Sequence, residues 1–337
     1  MNHERYSRQM LFQPIGESGQ RRLENSTVLV VGAGALGTVI CNHLVRAGIG
    51  KLRIVDRDYV EISNLQRQML FDEEDVEKAL PKAVAVKEKL QKINSTVTIE
   101  AITGNASAEN IDELIQEVDV VLDGTDNFST RYLLNDICCK KNIPYSYGGV
   151  VSSRGMTAFF VPNDMPCMRC VMKGGAESGQ TCDTAGVISP AVDIVSSMQV
   201  TETLKYLTGN KNNLRRTLYT FDHWFNYQYE IKLSNVNPDC PTCQKQYFPS
   251  LKRHANTPET ILCGRNTVQI HEKKEMDLSI WEGRLSRVAA TKRTPFLLKA
   301  ELDHHIQFVL FPDGRVLVQG TEDITSARSL YDRYIGS

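Results

Sequence analysis

The chain has 337 residues, of which 41% are hydrophobic and 23% charged, and this composition excludes a disordered, collagen-like or repeat-array chain. Lys and Arg (39) nearly balance Asp and Glu (40), and the formal net charge of -1 excludes a bulk field that would recruit nucleic acid or anionic lipid. No long apolar stretch and no signal-peptide pattern occur, so we expect a cytoplasmic protein that binds no membrane. At about 150 residues per domain, the length predicts two domains.

The first half of the chain alternates β-branched runs with helical stretches, which is typical of a parallel sheet covered by helices. Strands are predicted over 27–31, 51–56, 96–102, 118–124 and 143–149. Helices are predicted over 35–47 and 81–94, and a third helix is expected to begin with Ser129 as its N-cap. This order predicts a doubly wound, Rossmann-like, mostly parallel α/β sheet.

The second half continues this domain and then changes character. A polar loop is predicted over 173–186, and it is followed by a helix of about 20 residues after Pro190 and by strands over 217–222 and 226–233. Residues 246–260 resemble a linker. The elements expected beyond it are a strand near Val268, a helix over 278–290, a hairpin that turns at 312–314 and a helix over 325–334. We therefore expect one domain over 1–250 and a small α+β domain over 261–337.

A glycine-rich turn follows the first predicted strand. Gly32, Gly34 and Gly37 form G-x-G-x-x-G at the start of a helix, where backbone N–H groups can approach a phosphate. Asp56 ends the next strand, where a carboxylate can accept hydrogen bonds from ribose hydroxyls. The pattern predicts a nucleotide site, but it does not separate NAD, FAD and ATP.

Further polar residues follow the carboxyl ends of the strands and should face the same crevice. They are Asn64, Gln66 and Arg67 in SNLQRQ, Lys82, and Asp126 and Asn127 in GTDN. Lys82 in the first turn of a helix opposes the helix dipole, which favours a nearby polyanion, although an exposed lysine would cost little there. Asp126 is a candidate magnesium ligand, and a turn or a helix cap is the alternative for Asp126 and Asn127.

The cysteines form two groups. Cys167 and Cys170 make one C-x-x-C pair, Cys240 and Cys243 make another, and four thiolates favour a structural tetrahedral Zn²⁺ site over a redox role. Cys182 lies in the polar loop, where an exposed thiol is either a candidate nucleophile or a surface cysteine without a role.

Six motifs in this order are similar to those of the MoeB/ThiF family of adenylyltransferases, relatives of ubiquitin-activating enzymes. They are RYSRQ at 5–9, VGAGALG at 31–37, D-x-D at Asp56 and Asp58 followed by SNLQRQ, PK at 81–82, GTDN at 124–127, and the C-x-x-C pairs. The similarity covers about residues 4–246. It implies that the protein binds ATP and Mg²⁺ and adenylates the C-terminal Gly-Gly carboxylate of a ubiquitin-like sulfur carrier, MoaD or ThiS, releasing pyrophosphate. A separate sulfur donor, such as a cysteine desulfurase, would then form the thiocarboxylate.

The resemblance also implies roles for single residues. The nucleotide ligands that it implies are Asp56 for the ribose, Asn64, Arg67 and Lys82 for the phosphates, and Asp126 for magnesium. The arginine that matches Arg8 reaches the ATP of the other subunit, which implies a homodimer. Cys182 matches the family's candidate for covalent sulfur or acyl transfer. Some relatives append a rhodanese domain with a sulfur-carrying cysteine, but residues 264–337 contain no cysteine, so this unit is not a sulfurtransferase.

Three alternatives remain open at this stage. The glycines and Asp56 alone would favour an NAD-dependent oxidoreductase, but the charge of SNLQRQ, Lys82 and GTDN exceeds what a dinucleotide needs. A non-catalytic docking module is opposed by the intact charged set. A ThiF-like enzyme that activates a tRNA or a peptide keeps the chemistry, and the near-neutral charge disfavours tRNA. The sequence does not choose between MoaD and ThiS.

Overall fold

The chain divides into two compact units in a computed structural model that describes residues 3–172, 185–252, 259–262, 266–272, 274–302 and 305–336. The first unit comprises Met1–Val76 and Pro81–His254, and the second comprises Glu77–Leu80 and Ala255–Ser337. None of the described helices combines the length and apolar content that a membrane crossing requires.

The first unit is built on an eight-stranded sheet. Its strands are β1 Thr27–Val31, β2 Lys51–Asp56, β3 Thr98–Thr103, β4 Val120–Asp123, β5 Tyr145–Val151, β6 Arg154–Phe160, β7 Thr217–Asp222 and β8 Tyr227–Lys232. They lie in the order β3-β2-β1-β4-β5-β6-β7-β8; the pairs from β3 to β5 are parallel and those from β5 to β8 antiparallel. The predicted doubly wound, mostly parallel sheet is confirmed. Strand β6 was not predicted.

Nine described helices lie in the first unit, apart from Glu77 at the end of one of them, which belongs to the second unit. They are α1 His3–Leu11, α2 Gly16–Glu24, α3 Ala35–Ala47, α4 Glu73–Glu77, α5 Lys82–Ile93, α6 Ile111–Leu114, α7 Phe128–Lys141, α8 Met168–Val171 and α9 Ser189–Leu207. The sheet interior is apolar: Val28, Leu29 and Val30 of β1 are fully buried, as expected for a strand covered on both faces. The glycine turn and the starts of α3, α5 and α7 therefore lie at the carboxyl edge of this sheet.

Helix α7 begins earlier than the sequence predicted. Its N-cap is Asn127, whose side-chain oxygen accepts a hydrogen bond from the backbone N–H of Thr130 at 2.9 Å. Ser129 lies inside the first turn, so its prediction as the N-cap is wrong. Both residue types cap helices well, and the local pattern does not rank them.

In its described residues, the second unit has an antiparallel six-stranded sheet and two helices, which confirms the predicted α+β character. Its elements are β9 Glu259–Leu262, β10 Thr267–His271, α10 Leu278–Leu285, β11 Ala290–Arg293, β12 Leu298–Glu301, β13 Gln307–Leu310, β14 Arg315–Gln319 and α11 Ile324–Tyr334. The helices pack on one face of the sheet, on Val268, Phe308 and Val316. The helix predicted over 278–290 ends at Leu285, because Ala290–Arg293 pairs with β12.

Candidate nucleotide site

The turn between β1 and α3 depends on glycine at two positions. Gly32 has φ +95°, and a Cβ built on it would lie 2.5 Å from the carbonyl oxygen of Gly124, at the end of β4. A Cβ on Gly37 would lie 1.8 Å from the carbonyl oxygen of Gly32. Both positions therefore exclude larger side chains for reasons of internal packing.

Gly34, the N-cap of α3, is in a different environment. Apart from its chain neighbours and the backbone of its own helix, only Nε2 of Gln68 among the described residues comes within 4.0 Å of a Cβ built there. Gln68 is buried, and its Oε1 has no hydrogen-bond partner in the described part of the chain. A buried polar atom without a partner is rare in a native protein and indicates a missing ligand or water. Open space at the start of a 13-residue helix beside such an atom fits a nucleotide phosphate.

This difference gives a paired prediction. Gly34→Ala should change stability without ligand by less than about 1 kcal/mol, but its methyl group should block the phosphate and abolish stabilisation by Mg-ATP. In the wild type, Mg-ATP at 100 times its Kd should stabilise the folded protein by about 2.7 kcal/mol. Gly37→Ala should instead lower the unfolding temperature even without nucleotide. Thermal melts with and without Mg-ATP check both, and full stabilisation of Gly34→Ala by Mg-ATP would show that the nucleotide lies elsewhere.

Asp56 organises the backbone around the glycine turn. Its Oδ2 accepts a hydrogen bond from the Ala33 N–H at 2.6 Å, and its Oδ1 accepts one from the Asp58 N–H at 2.7 Å. Burial, followed by repulsion from Asp58, raises the pKa of Asp56 above its usual value, while Lys82 opposes this shift. The carboxylate lies at the carboxyl end of β2, the position at which the topology of the sheet predicts a ribose ligand.

Lys82 is a buried cation at the start of α5. Its side chain is 3% exposed, and its Nζ lies 3.4 Å from Oδ2 of Asp58. The backbone N–H of Lys82 also donates to the Asp58 carbonyl at 2.8 Å. A buried ammonium group with one long ion pair retains hydrogen-bonding capacity for a further anion. Asp58 is thus the counter-ion of Lys82 at 3.4 Å.

The SNLQRQ segment forms a short 3-10 turn, Ile62–Asn64, closed by a reciprocal cap. Oδ1 of Asn64 accepts a hydrogen bond from the Glu61 N–H at 3.2 Å. Arg67 is half-buried, and its Nη1 donates to the Ser63 carbonyl at 3.0 Å. Both side chains are held by their own segment.

Asp126 and Asn127 are exposed at the start of α7. Asn127 caps this helix, which is the structural role considered for it from the sequence. The loop that carries Asp126 is held in place by Asp123 at the end of β4. Asp123 is fully buried and accepts hydrogen bonds from the Thr125 N–H at 2.8 Å and the Thr125 hydroxyl at 2.6 Å.

A buried arginine that sequence reasoning missed completes the support of this loop. Arg131 donates to the Asp123 carboxylate at 3.3 Å, to the Thr125 carbonyl at 2.8 Å and to the Gly148 carbonyl at 3.1 Å. Tyr145 donates to the same carboxylate at 2.7 Å. Burial and the Asp123 charge raise the pKa of Tyr145 well above its usual value, so the phenol remains a donor.

Arg8 is not brought to this crevice within its own chain. Its neighbours on α1 contact the C-terminal ends of α5 and α3: Tyr6 accepts from Asn94 Nδ2 at 2.9 Å, and Gln9 donates to the Ala47 carbonyl at 2.9 Å. Helix α5 has 12 residues and spans about 18 Å, with Lys82 at its opposite end. Arg8 itself is exposed. Cys182 lies outside the described residues.

The four predicted metal ligands come together. The Sγ atoms of Cys167, Cys170, Cys240 and Cys243 all lie within 4.8 Å of one another. The Sγ atoms are 3.6 Å apart in Cys167 and Cys240 and 3.4 Å apart in Cys170 and Cys243. Four sulfurs at 2.3 Å from a central zinc ion would be about 3.8 Å apart, so the cluster fits tetrahedral Zn²⁺. Burial raises the pKa of the Cys170 thiol, so a bound cation is needed to hold it as thiolate.

The doubly wound sheet, the glycine turn and the polar residues at its carboxyl edge define a nucleotide-binding α/β protein. The ThiF family model matches residues 6–242, and the chain belongs to this family. The resemblance predicted from the motifs is therefore confirmed.

Individual relatives agree with this assignment. The chain is 45% identical over 336 residues to the sulfur carrier protein ThiS adenylyltransferase of Bacillus subtilis, and the match covers 98% of this chain and 99% of the relative. It is 38% identical over 242 residues to the SAMP-activating enzyme E1 of Haloferax volcanii, covering 71% and 88%. Among solved structures, E. coli MccB matches with a TM-score of 0.64 at 22% identity and 76% coverage of both chains, a likeness of fold alone.

Proposed function

We propose that the protein is an adenylyltransferase that activates the C-terminal carboxylate of a ThiS-type, ubiquitin-like sulfur carrier with ATP. The observation that carries this proposal is the 45% identity to a ThiS adenylyltransferase across nearly the whole of both chains. The family assignment favours this activity over the NAD-dependent oxidoreductase. The same identity favours ThiS over MoaD and over a tRNA or peptide substrate.

The reaction needs positioning and positive charge rather than a general base. A terminal carboxylate has a pKa of about 3.5 and is ionised at neutral pH, so its oxygen attacks the α-phosphorus directly. The new bond joins that oxygen to phosphorus, and the bond from the α-phosphorus to the bridging oxygen breaks as pyrophosphate leaves. Negative charge accumulates on the phosphorus centre and on pyrophosphate, where fixed cations lower the barrier.

The chain's own residues supply this environment. The start of α3 at Gly34 and the buried Lys82 bind phosphate oxygens, Arg67 and Asn64 contact the triphosphate from SNLQRQ, and Asp56 accepts from the ribose. Asp126 would hold Mg²⁺, which neutralises phosphate charge when bound. Its exposure at the crevice edge supports this role, since carboxylate, water and phosphate oxygens are usual Mg²⁺ ligands.

The proposal also covers the metal site, the dimer, the sulfur donor and the location of the protein. Zn²⁺ would be structural, held by the four cysteines. Arg8 would act in a homodimer on the ATP of the partner subunit. A separate sulfur donor, such as a cysteine desulfurase, would convert the acyl-adenylate to the thiocarboxylate. Cys182 remains the candidate acceptor for covalent sulfur or acyl transfer, and the protein would act in the cytoplasm without binding nucleic acid or membrane.

The test is ATP–pyrophosphate exchange by the purified protein with Mg²⁺ and ThiS, MoaD or no carrier. We expect exchange with ThiS, and none with a ThiS variant that lacks its terminal Gly-Gly. Exchange with MoaD alone would contradict the carrier assignment. Failure with both carriers, despite Mg-ATP binding in a thermal melt, would contradict the proposed substrate class.

A further inference from the structure

Helix α7 connects the two candidate sites of the first unit. Its first turn carries Arg131, which fixes the loop of Asp126 through Asp123 and Thr125. One and a half turns further on, Asp136 contacts the loops of the four-cysteine cluster. Because a helix of 14 residues is a stiff element, the two attachments are mechanically connected over about 20 Å or less.

Asp136 is a fully buried carboxylate with an unusually complete set of donors. Its Oδ1 accepts from Arg169 Nε at 2.8 Å and from the Thr242 hydroxyl at 2.8 Å. Its Oδ2 accepts from Arg169 Nη2 at 2.9 Å and from the Ser250 N–H at 2.9 Å. Paired, charge-assisted hydrogen bonds of this type are the strong ones in proteins.

The donors identify what this carboxylate does. Arg169 lies between Cys167 and Cys170, and Thr242 lies between Cys240 and Cys243. One carboxylate therefore holds the middle of both C-x-x-C loops. The preceding residue on α7 adds a further link, since Asn135 Oδ1 accepts from the Met168 N–H at 2.9 Å.

The pairing would be costly to break. The Arg169 guanidinium lies 4.3 Å from the centre of the Tyr132 ring, also on α7, and donates to the Ser250 hydroxyl at 2.7 Å. Removing the charge of Asp136 would leave the half-buried guanidinium packed against this helix without its counter-ion. Arg169 would then shift, and the Cys167–Cys170 loop would shift with it.

We propose that Asp136 is a positioning residue shared by both sites: it fixes the two cysteine loops to α7, so that metal binding and the placement of the Asp126 loop are linked. The nucleotide half of this inference rests on the proposed function; the metal half does not. Residues that orient metal ligands from outside the coordination sphere typically change metal affinity 10- to 100-fold when they are replaced. Linkage also requires that Mg-ATP and the metal strengthen each other's binding by the same factor.

The experiment uses the full chain loaded with Zn²⁺ and three variants. Asp136→Asn removes the charge with little change in shape, and Thr242→Val removes a single hydrogen bond to it. Asp164→Asn is the matched control, because it breaks an Arg–Asp pair with Arg216 that is exposed on the surface. Zinc affinity is measured by competition with a colorimetric chelator well below the unfolding temperature, and the Kd of Mg-ATP by calorimetry on zinc-loaded and zinc-free protein.

We expect Asp136→Asn to weaken zinc binding by about 10- to 100-fold, Thr242→Val to weaken it less, and Asp164→Asn to leave it unchanged. Zinc removal and Asp136→Asn should both weaken Mg-ATP binding. The role of Asp136 would be overturned if Thr242→Val bound zinc with wild-type affinity and the Asp136→Asn protein, measured on its folded fraction, did so as well. Weaker zinc binding with an unchanged Mg-ATP Kd would overturn the linkage. If the wild type bound no ATP, the proposed function would fail, while the zinc measurement would still decide the role of Asp136.

Discussion

Asp126→Ala should lower ATP–pyrophosphate exchange by about 100-fold or more, the usual cost of losing one electrostatic stabiliser of a transition state. The carboxylate is exposed at the start of α7 and is the candidate ligand for Mg²⁺ on the triphosphate. The loop beneath it is held by Asp123 and Arg131, which the substitution leaves intact. The loss should therefore lie in catalysis rather than in folding, and the unfolding temperature without ligand should match that of the wild type.

Two comparisons make this result interpretable. Arg67→Ala should cause a loss of similar size, because it removes a positive charge that we propose to contact the same triphosphate. Asp112→Asn removes an exposed carboxylate that pairs with Lys141 at the far end of α7, and it should leave exchange unchanged. Wild-type exchange by Asp126→Ala over a range of Mg²⁺ concentrations would remove this residue from the mechanism.

Much of the fold follows from periodicity in the sequence. The predictions for β1, α3, β2 and β7 match the structure residue for residue, because α3 is bounded by Gly34 and Gly48 and each of the strands contains a run of apolar, aromatic or β-branched residues. The polar strands β11 and β12 carry no comparable pattern: of their residues, Leu298 and Ala300 are the ones that enter the core. Their pairing is decided by the sheet that they join, which a local pattern does not contain.

The candidate site can also be predicted only in part from the sequence. Topology alone predicts that Asp56, Lys82 and Asp126 share one edge of the sheet. It does not predict that Arg131 lies beneath the Asp126 loop or that Asp136 reaches both cysteine pairs. In the sequence both are ordinary charged residues of a helix, and their burial follows from tertiary packing. The role predicted for Arg8 came from the resemblance to the family, because within its own chain Arg8 is simply an exposed arginine.

A mixture of two inactive variants should recover activity if Arg8 acts on the partner subunit. Arg8→Ala and Asp126→Ala homodimers should each lose about 100-fold in exchange or more. After the two variants are mixed, dissociated and reassembled, half of the dimers contain one chain of each kind. In such a dimer, the site with intact Asp126 receives Arg8 from the other chain. About a quarter of all sites are then complete, as expected for random assembly of a two-fold dimer.

The placement of α1 is the reason to expect this recovery. Within one chain, α1 is held at the C-terminal ends of α3 and α5, and the candidate nucleotide site lies at their N-terminal ends. A side chain at that position reaches a triphosphate only if the triphosphate belongs to another chain. The control is a mixture of Arg67→Ala with Asp126→Ala, whose defects both lie in the chain's own site and should not complement. Two results would contradict a role of Arg8 in the partner's site. One is recovery of exchange activity in the control mixture. The other is no recovery in the Arg8 mixture although mass spectrometry detects mixed dimers.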